Sequence, residues 1–243
     1  MKHQTPDIVI PLGSGSKHNN FELRMALRGI ARFVRDPGQV YIVSDQLPEW
    51  VQNVIHLPAD DPHKHNKDAN IIDKLLLATA CPELSEEFIF WSDDQILLKP
   101  CCLHKLPAIY NPRRRRDFNA PRIWHRRMRN TFDYLQKRNR FLECNYESHT
   151  PQRFNKKLFS ELFRSTDYAR EPGYCINTLY FGFYGTGGKL EQSMVKSTCE
   201  QPLKLNQLPA DKLFLGYNDA ALQGGLKPLL EAYFPTPCSY EKY

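Results

Sequence analysis

Between residues 87 and 98 the chain reads EFIFWSDDQILL, and two adjacent carboxylates, Asp93 and Asp94, interrupt an otherwise apolar run. Phe88, Ile89, Phe90 and Trp91 are bulky, aromatic or β-branched over a strand-length span, so the segment predicts a central buried strand. The carboxylate pair then sits at the strand's end. Near a surface, two such charges about 4 Å apart repel by up to a few kcal/mol. A hard divalent cation offsets that repulsion. Mg²⁺ and Mn²⁺ prefer oxygen ligands, take one or two carboxylates, and fill their shell with water and phosphate oxygens. The same pair reads equally well as an acidic turn joining two strands.

The flanking sequence gives the strand its context. DIVIPL (7–12) predicts a first buried strand, followed by a GSGSKHNN loop in which Asn19 or Asn20 can cap a helix. Leu23, Leu27, Ile30 and Val34 recur at helical spacing, with Arg24, Arg28, Arg32 and Arg35 on the opposite, solvated face. QVYIVSD (39–45) and NVIHLP (53–58) predict two more strands, and ANIIDKLLLATA (69–80) a second helix. QILLKP adds a short strand after the carboxylates. The order strand, helix, strand, strand, helix, strand predicts an α/β fold with a mostly parallel sheet. Ligands of such sheets bind beyond the carboxyl ends of the strands, where SGSK, SD and SDD all fall. The middle, about 105–170, reads as mainly helical. TLYFGFYG (178–185) reads as strand-like, GTGGK (185–189) as a Gly-rich turn, and residues near 219–233 as a last helix.

Composition narrows the class. With 243 residues, 41% of them hydrophobic and 12% aromatic, the chain can bury a substantial core and does not read as disordered. No apolar stretch approaches the roughly 18 residues of a membrane span, and the start does not read as a signal peptide. The seven cysteines are odd in number and irregular in spacing, which argues against a disulfide framework. Cys101-Cys102-Leu103-His104 lacks a second ligand pair at zinc spacing. These features predict a cytoplasmic protein. The net charge of +6 is local: residues 111–140 hold eleven Lys and Arg against two acids, which leaves the remainder at −3.

Several segments, in order, carry a family resemblance. FELRMALRGI, VYIVSDQLPEWV, ANIID and PELSEEFIFWSDDQILLKP are followed by SHTPQRFNKKLFSEL and then FLGYNDAAL…LLEAYFPTPCSYEK. Together they resemble the Stealth family of sugar-phosphate transferases. That family includes bacterial capsule phosphotransferases and the catalytic core of the lysosomal-targeting GlcNAc-1-phosphotransferase. The likeness spans about residues 8–241 and is poor near 105–145. It implies one catalytic domain over 1–243 with a glycosyltransferase-A-like fold, a Rossmann-type mixed sheet flanked by helices, and a basic, mainly helical insert at about 105–145. It also implies a metal-dependent enzyme of a bacterial or phage-infected cytoplasm. The enzyme would use a nucleotide-sugar donor, a UDP-sugar first among them, and move sugar-1-phosphate onto an acceptor hydroxyl of a glycan.

Site residues follow from the resemblance position by position. Asp93 and Asp94 are the expected ligands of Mg²⁺ or Mn²⁺, with Asp93 also facing the donor, and Asp219 can complete the shell or cap the last helix. Asp73 matches a catalytic Glu and can accept the proton of the acceptor hydroxyl. His149 matches an essential His that can act as base or bind phosphate. Arg170 matches an Arg whose forked donors suit phosphate oxygens. Ser44 and Asp45 end the second strand and can contact the base or ribose, and Arg24 and Arg28 can point toward the donor. The first strand departs from the family pattern. It runs into PLGSGSK, where Gly13 and Ser14 can offer backbone N–H groups to phosphate. The pair is SDD where the family has NDD, and Asp73 stands where it has Glu.

The basic segment raises a separate possibility. Arg113, Arg114, Arg115, Arg116, Arg126 and Arg127 are interleaved with Phe118 and Trp124, a composition that suits phosphate neutralisation and base stacking. Two alternatives follow. One is a phage-type glycosyltransferase acting on hydroxylated bases of DNA. The other is a non-catalytic nucleic-acid-binding module on a transferase fold.

Overall fold

Alternation along the first strand sets the layers. The computed structural model describes residues 5–35, 37–185, 187–190, 208 and 211–242. In β1 (Asp7–Pro11), Ile8 and Ile10 face one side of the sheet and Val9 the other, and all three are fully buried. The first side is covered by α1 (Phe21–Phe33) through Leu23, Leu27 and Ile30. The same alternation runs through β2 (Val40–Ser44), where Val40 and Ile42 face α1 while Tyr41 and Val43 face away. Next come β3 (Ile55–Pro58), α2 (Lys67–Ala80) and β4 (Glu87–Phe90). Side chains two apart share a face, so each doubly covered strand reads as a near-continuous apolar run.

After β4 the chain leaves the main sheet. β5 (Gln95–Leu97) is followed by β6 (Ile109–Tyr110), α3 (Ile123–Gln136) and β7 (Gln152–Asn155). Then come α4 (Lys156–Arg164), α5 (Ile176–Tyr184), β8 (Lys189–Leu190) and β9 (Phe214–Gly216). The central sheet has the order β3-β2-β1-β4-β7, with β1 to β4 parallel and β7 antiparallel to β4. The architecture is therefore mixed α/β, a mostly parallel sheet between helices, compatible with a Rossmann-like fold. β5 pairs with β9, and β6 with β8, in separate two-stranded sheets. No helix among the described residues is long and apolar enough to cross a membrane.

Three expectations about these elements need correction. TLYFGFYG is helical up to Tyr184: it belongs to α5, whose Leu179, Tyr180 and Phe181 join the core beneath β4 and β7. A helix apolar nearly all round shows no helical period and so resembles a buried strand. In the neighbouring GTGGK stretch, Thr186 lies outside the described residues. The last helix is broken into α6 (Asp219–Ala221), a wider turn over Leu222–Leu226, and α7 (Lys227–Tyr233), with Gly225 at φ 111° between them. Asn20 does occupy the N-cap of α1, but its side chain makes no cap hydrogen bond. Ser16 does the work, its Oγ accepting from Asn20 N at 2.9 Å and donating to Glu22 Oε2 at 3.0 Å.

The arginine stripe on α1 is only partly a solvated face: Arg32 and Arg35 are exposed, while Arg24 and Arg28 are half-buried. Arg28 donates to both carboxylate oxygens of Glu241, at 2.6 and 2.9 Å, and to Phe234 O at 2.5 Å. Arg32 donates to Tyr233 O at 2.7 Å, and Arg24 stacks on the Trp50 ring at 4.5 Å. The helix thus clamps the carboxy-terminal segment, whose Glu241 is buried. Burial pushes the Glu241 carboxyl up, but Arg28 and the Cys238 N–H outweigh it and hold it below the usual glutamate value. A depressed carboxylate contributes stability that is present above its unfolded pKa and lost as pH falls through its folded one. Arg28→Ala is expected to cost about 3 kcal/mol in urea denaturation at neutral pH, by leaving a buried charge unpaired. That difference should shrink as the pH falls below the glutamate range.

Candidate functional site at the carboxyl edge

Parallel pairing puts the carboxyl ends of β1 to β4 at one edge, and antiparallel β7 begins there, Phe90 facing Gln152. The expected carboxylates and His149 therefore arrive at the same place from opposite strand directions. β5 folds back on β9 with Gln95 opposite Gly216, which brings Tyr217 against the pair, its N–H reaching Asp94 O at 3.4 Å. His149 Nε2 lies 3.0 Å from Asp94 Oδ2 and 3.1 Å from Tyr217 O. Both neighbours are acceptors, so this nitrogen carries the ring proton.

The charge at this edge is unbalanced. Burial, then the charges of Asp94 and Glu22, push the Asp93 carboxyl up to about 7. Glu22 comes from the first turn of α1, is buried, and was not singled out by the sequence. Tyr217 is also buried, and its hydroxyl meets no hydrogen-bond partner among the described residues. Burial and then the charges of Asp94, Glu22, Asp93 and Asp219 raise its pKa. Asp219 itself is exposed at the start of α6, where Asn218 rather than Asp219 is the N-cap. Among the described residues no three His, Cys, Asp or Glu side chains converge as a ready-made cation cage. A closed structural zinc site does not fit such a donor set. An aquated Mg²⁺ or Mn²⁺ held by one or two carboxylates does fit it.

His149 is held in place at a cost. Its backbone sits in the left-handed region at φ 57°, uncommon for any residue but glycine, although His enters it more readily than most. Its neighbours Ser148 and Thr150 are buried and share a hydrogen bond of 2.6 Å. Gln152 then bonds Ser148 Oγ at 3.0 Å and Ile109 O at 2.8 Å. Gly216 gives the imidazole its space: a Cβ there would lie 2.4 Å from His149 Cδ2 and 2.6 Å from His149 O.

A second cluster forms where α2 begins. Asp73 accepts from Tyr168 Oη at 2.5 Å on one oxygen and meets His63 Nε2 at 2.9 Å on the other. Burial first, and then the Asp73 bond and charge, hold the Tyr168 hydroxyl well above its ordinary value. One residue on, Lys74 is buried and donates to Leu12 O at 2.8 Å and to Asp61 Oδ1 at 2.6 Å. Asp61 Oδ2 in turn accepts from Ser14 N at 3.4 Å. The loop after β1 thus joins the clusters, reaching Asp61 through Ser14 and Glu22 through Ser16.

The remaining expected residues separate by position. Arg170 lies exposed on the loop packed over the start of α2, where Asn66 Nδ2 reaches Tyr168 O at 3.2 Å and Ala169 O at 3.4 Å. Asp45 is exposed at the end of β2. Ser44 is buried and turned inward, bonding Gln46 O at 2.9 Å and meeting His56 Nε2 at 3.1 Å. Gly13 and Ser14 are exposed, but a carboxylate, Asp61, already faces the Ser14 N–H. Arg24 and Arg28 are drawn to Glu241, away from the carboxylate pair.

Part of the basic segment is paired with acids. Arg114 meets Glu143 at 2.8 Å, Arg115 meets Asp133 at 2.5 Å, and Arg126 meets Glu171 at 3.4 Å. Arg113 lies over the Phe118 ring at 4.5 Å. Phe118 is fully buried, and Trp124 packs edge-on against it at 5.2 Å. Arg127 is a correction: it is buried, bonded to Asp68, to Asn66 Oδ1 at 2.8 Å and to Pro172 O at 2.8 Å, so it cannot face a polyanion. Arg116 is exposed.

No protein-family model matches the sequence, and no curated protein matches it. The geometry makes its own prediction about His149. Gly216→Ala is expected to cost about 1–3 kcal/mol in urea denaturation by overpacking. His149→Gly removes both the ring and the strained φ. The double variant should therefore be more stable than the sum of the two single changes implies, which a double-mutant cycle measures.

Proposed function

We propose that this chain is a nucleotide-sugar-dependent transferase on a glycosyltransferase-A-like fold. It moves sugar-1-phosphate, or the sugar itself, onto an acceptor hydroxyl, with Mg²⁺ or Mn²⁺ held at Asp93 and Asp94. The observation that carries this reading is the uncompensated acidity at the carboxyl edge, where Asp93 is pushed up to about 7 beside Asp94 and Glu22. A fold keeps such charges together when a cationic ligand offsets them.

The chain's own groups have distinct tasks in this proposal. When bound, the cation neutralises charge on the donor diphosphate. Asp94 is oriented by the His149 Nε2–H, and His149 is in turn fixed by Tyr217 O. Arg170, exposed on the loop over α2, supplies a forked donor for phosphate oxygens. Asp73, with a hydrogen-bond partner on each oxygen, stands in the second cluster on the acceptor side. Arg24, Arg28 and Ser44 are left out of the donor site because their polar groups are engaged elsewhere. Burial of Arg127 against Asp68 and of Phe118 in the core removes two groups suited to meeting a nucleic acid.

Calorimetric titration with Mn²⁺ and then UDP tests the donor half. Protons compete with the cation for Asp93, so Mn²⁺ affinity is expected to rise from about pH 5.5 and level off above about pH 7.5, with proton release at the lower end. Asp94→Ala should remove Mn²⁺-dependent UDP binding, a loss of at least about tenfold, which corresponds to about 1.4 kcal/mol. Equal UDP affinity with and without Mn²⁺ in the wild-type protein would contradict the proposal.

A further inference from the structure

The carboxylate expected to act as base is not free to do so. Asp73 has a partner on each oxygen, Tyr168 on one and His63 on the other. An ionised carboxylate only accepts hydrogen bonds, so His63 presents Nε2–H to it. The lone pair of the neutral ring is then on Nδ1. His63 belongs to the polar loop DDPHKHNKD between β3 and α2, which none of the roles assigned above uses.

The imidazole is held with unusual completeness for a loop residue. Its backbone N–H donates to Asn70 Oδ1 at 2.8 Å, and its carbonyl accepts from Asn70 Nδ2 at 3.2 Å. Asn70 is itself buried on α2, one turn before Asp73. The main chain is thus pinned by one residue of the helix and the ring by another. The ring keeps 28% of its side-chain surface open to solvent. This combination, fixed tautomer, fixed main chain and accessible edge, is what a proton-accepting imidazole requires.

We infer that His63, oriented by Asp73, is the general base for the acceptor hydroxyl, and that Asp73 is a positioning residue. The inference rests on the transferase reading above. The acceptor O–H proton passes to His63 Nδ1 as the acceptor oxygen bonds to the transferred group. The bond between that group and the nucleotide breaks, and its electron pair leaves on the nucleotide phosphate. Tyr168 holds the second oxygen of Asp73, so the carboxylate cannot turn away from the ring. The charged groups around His63 are Asp73 and the Lys74–Asp61 pair, with Arg164 beyond Tyr168. Lys64 and His65 follow it in the same loop.

The test uses the full chain with UDP-sugars and Mn²⁺, and methyl glycosides as acceptor probes, following released nucleotide against pH. His63→Gln should lower kcat about 10²–10⁴-fold, flatten the acidic limb of the pH–rate profile, and leave Mn²⁺-dependent UDP affinity unchanged. Asp73→Asn should lower kcat, because the ring loses the carboxylate that orients it, and leave Mn²⁺-dependent UDP affinity unchanged. Nitrogen-detected NMR of the histidines should show the Nε2–H tautomer at His63 in the wild type and a changed tautomer balance in Asp73→Asn. If the wild type turns over and His63→Gln keeps kcat within about threefold, the base assignment is wrong and the transferase reading stands. The Nδ1–H tautomer at wild-type His63 overturns it equally. Release by neither wild type nor variants from any donor overturns the transferase reading and this assignment with it. A His63→Gln chain that binds UDP normally has folded, so its turnover is interpretable.

Discussion

The antiparallel pairing of Phe90 with Gln152 determines what this molecule can bring together. Four parallel strands alone would gather loops at one edge, with Asp93 and Asp94 among them. The fifth strand enters that edge from the other direction. Its approach places His149 within hydrogen-bond distance of Asp94, a contact between residues more than fifty positions apart. Everything else near the pair adapts to it. Gly216 lacks a side chain because the imidazole fills that volume, and His149 accepts an unfavourable backbone conformation to reach its position. Strain that persists next to two carboxylates is an observation that points toward function.

The second cluster is built on a different principle. Two adjacent residues of α2 point to neighbouring parts of the same edge. Lys74 reaches under the end of β1 to Leu12 O and Asp61, while Asp73 faces His63 and Tyr168. The Lys74–Asp61 pair, buried at its lysine, pins the β3–α2 loop against the β1–α1 loop. That is how a polar, His-rich connection is held still enough to present one imidazole. The loop after β1 then ties this cluster to Glu22 through Ser16.

Much of this was legible in the sequence. The apolar runs of β1, β2 and β4, and the charge break after Trp91, are local signals, and the order of elements up to β4 follows from them. Single-residue roles that depend on distant partners were not legible. Arg24 and Arg28 look solvated until Glu241, more than two hundred residues away, folds onto them. Glu22 looks like an ordinary first-turn acid, and its burial beside Asp93 depends on the turn after β4. Lys74 did leave a trace, a charge beside Asp73 inside IIDKLLL, of the same kind as the interrupted EFIFWSDDQILL. Arg127 and Arg116 are indistinguishable in a basic run, yet one is buried against Asp68 and the other is exposed.

The central claim is that the acidic edge serves the breaking of a nucleotide-sugar bond. Mass spectrometry of the nucleotide released from a panel of nucleotide sugars tests this most directly, with Mn²⁺ present and then chelated. The account predicts release that depends on Mn²⁺ and on Asp94. Nucleoside monophosphate as product would identify sugar-1-phosphate as the group moved, and nucleoside diphosphate would identify the sugar. Release that is unchanged after chelation, or unchanged in Asp94→Ala, would contradict the account.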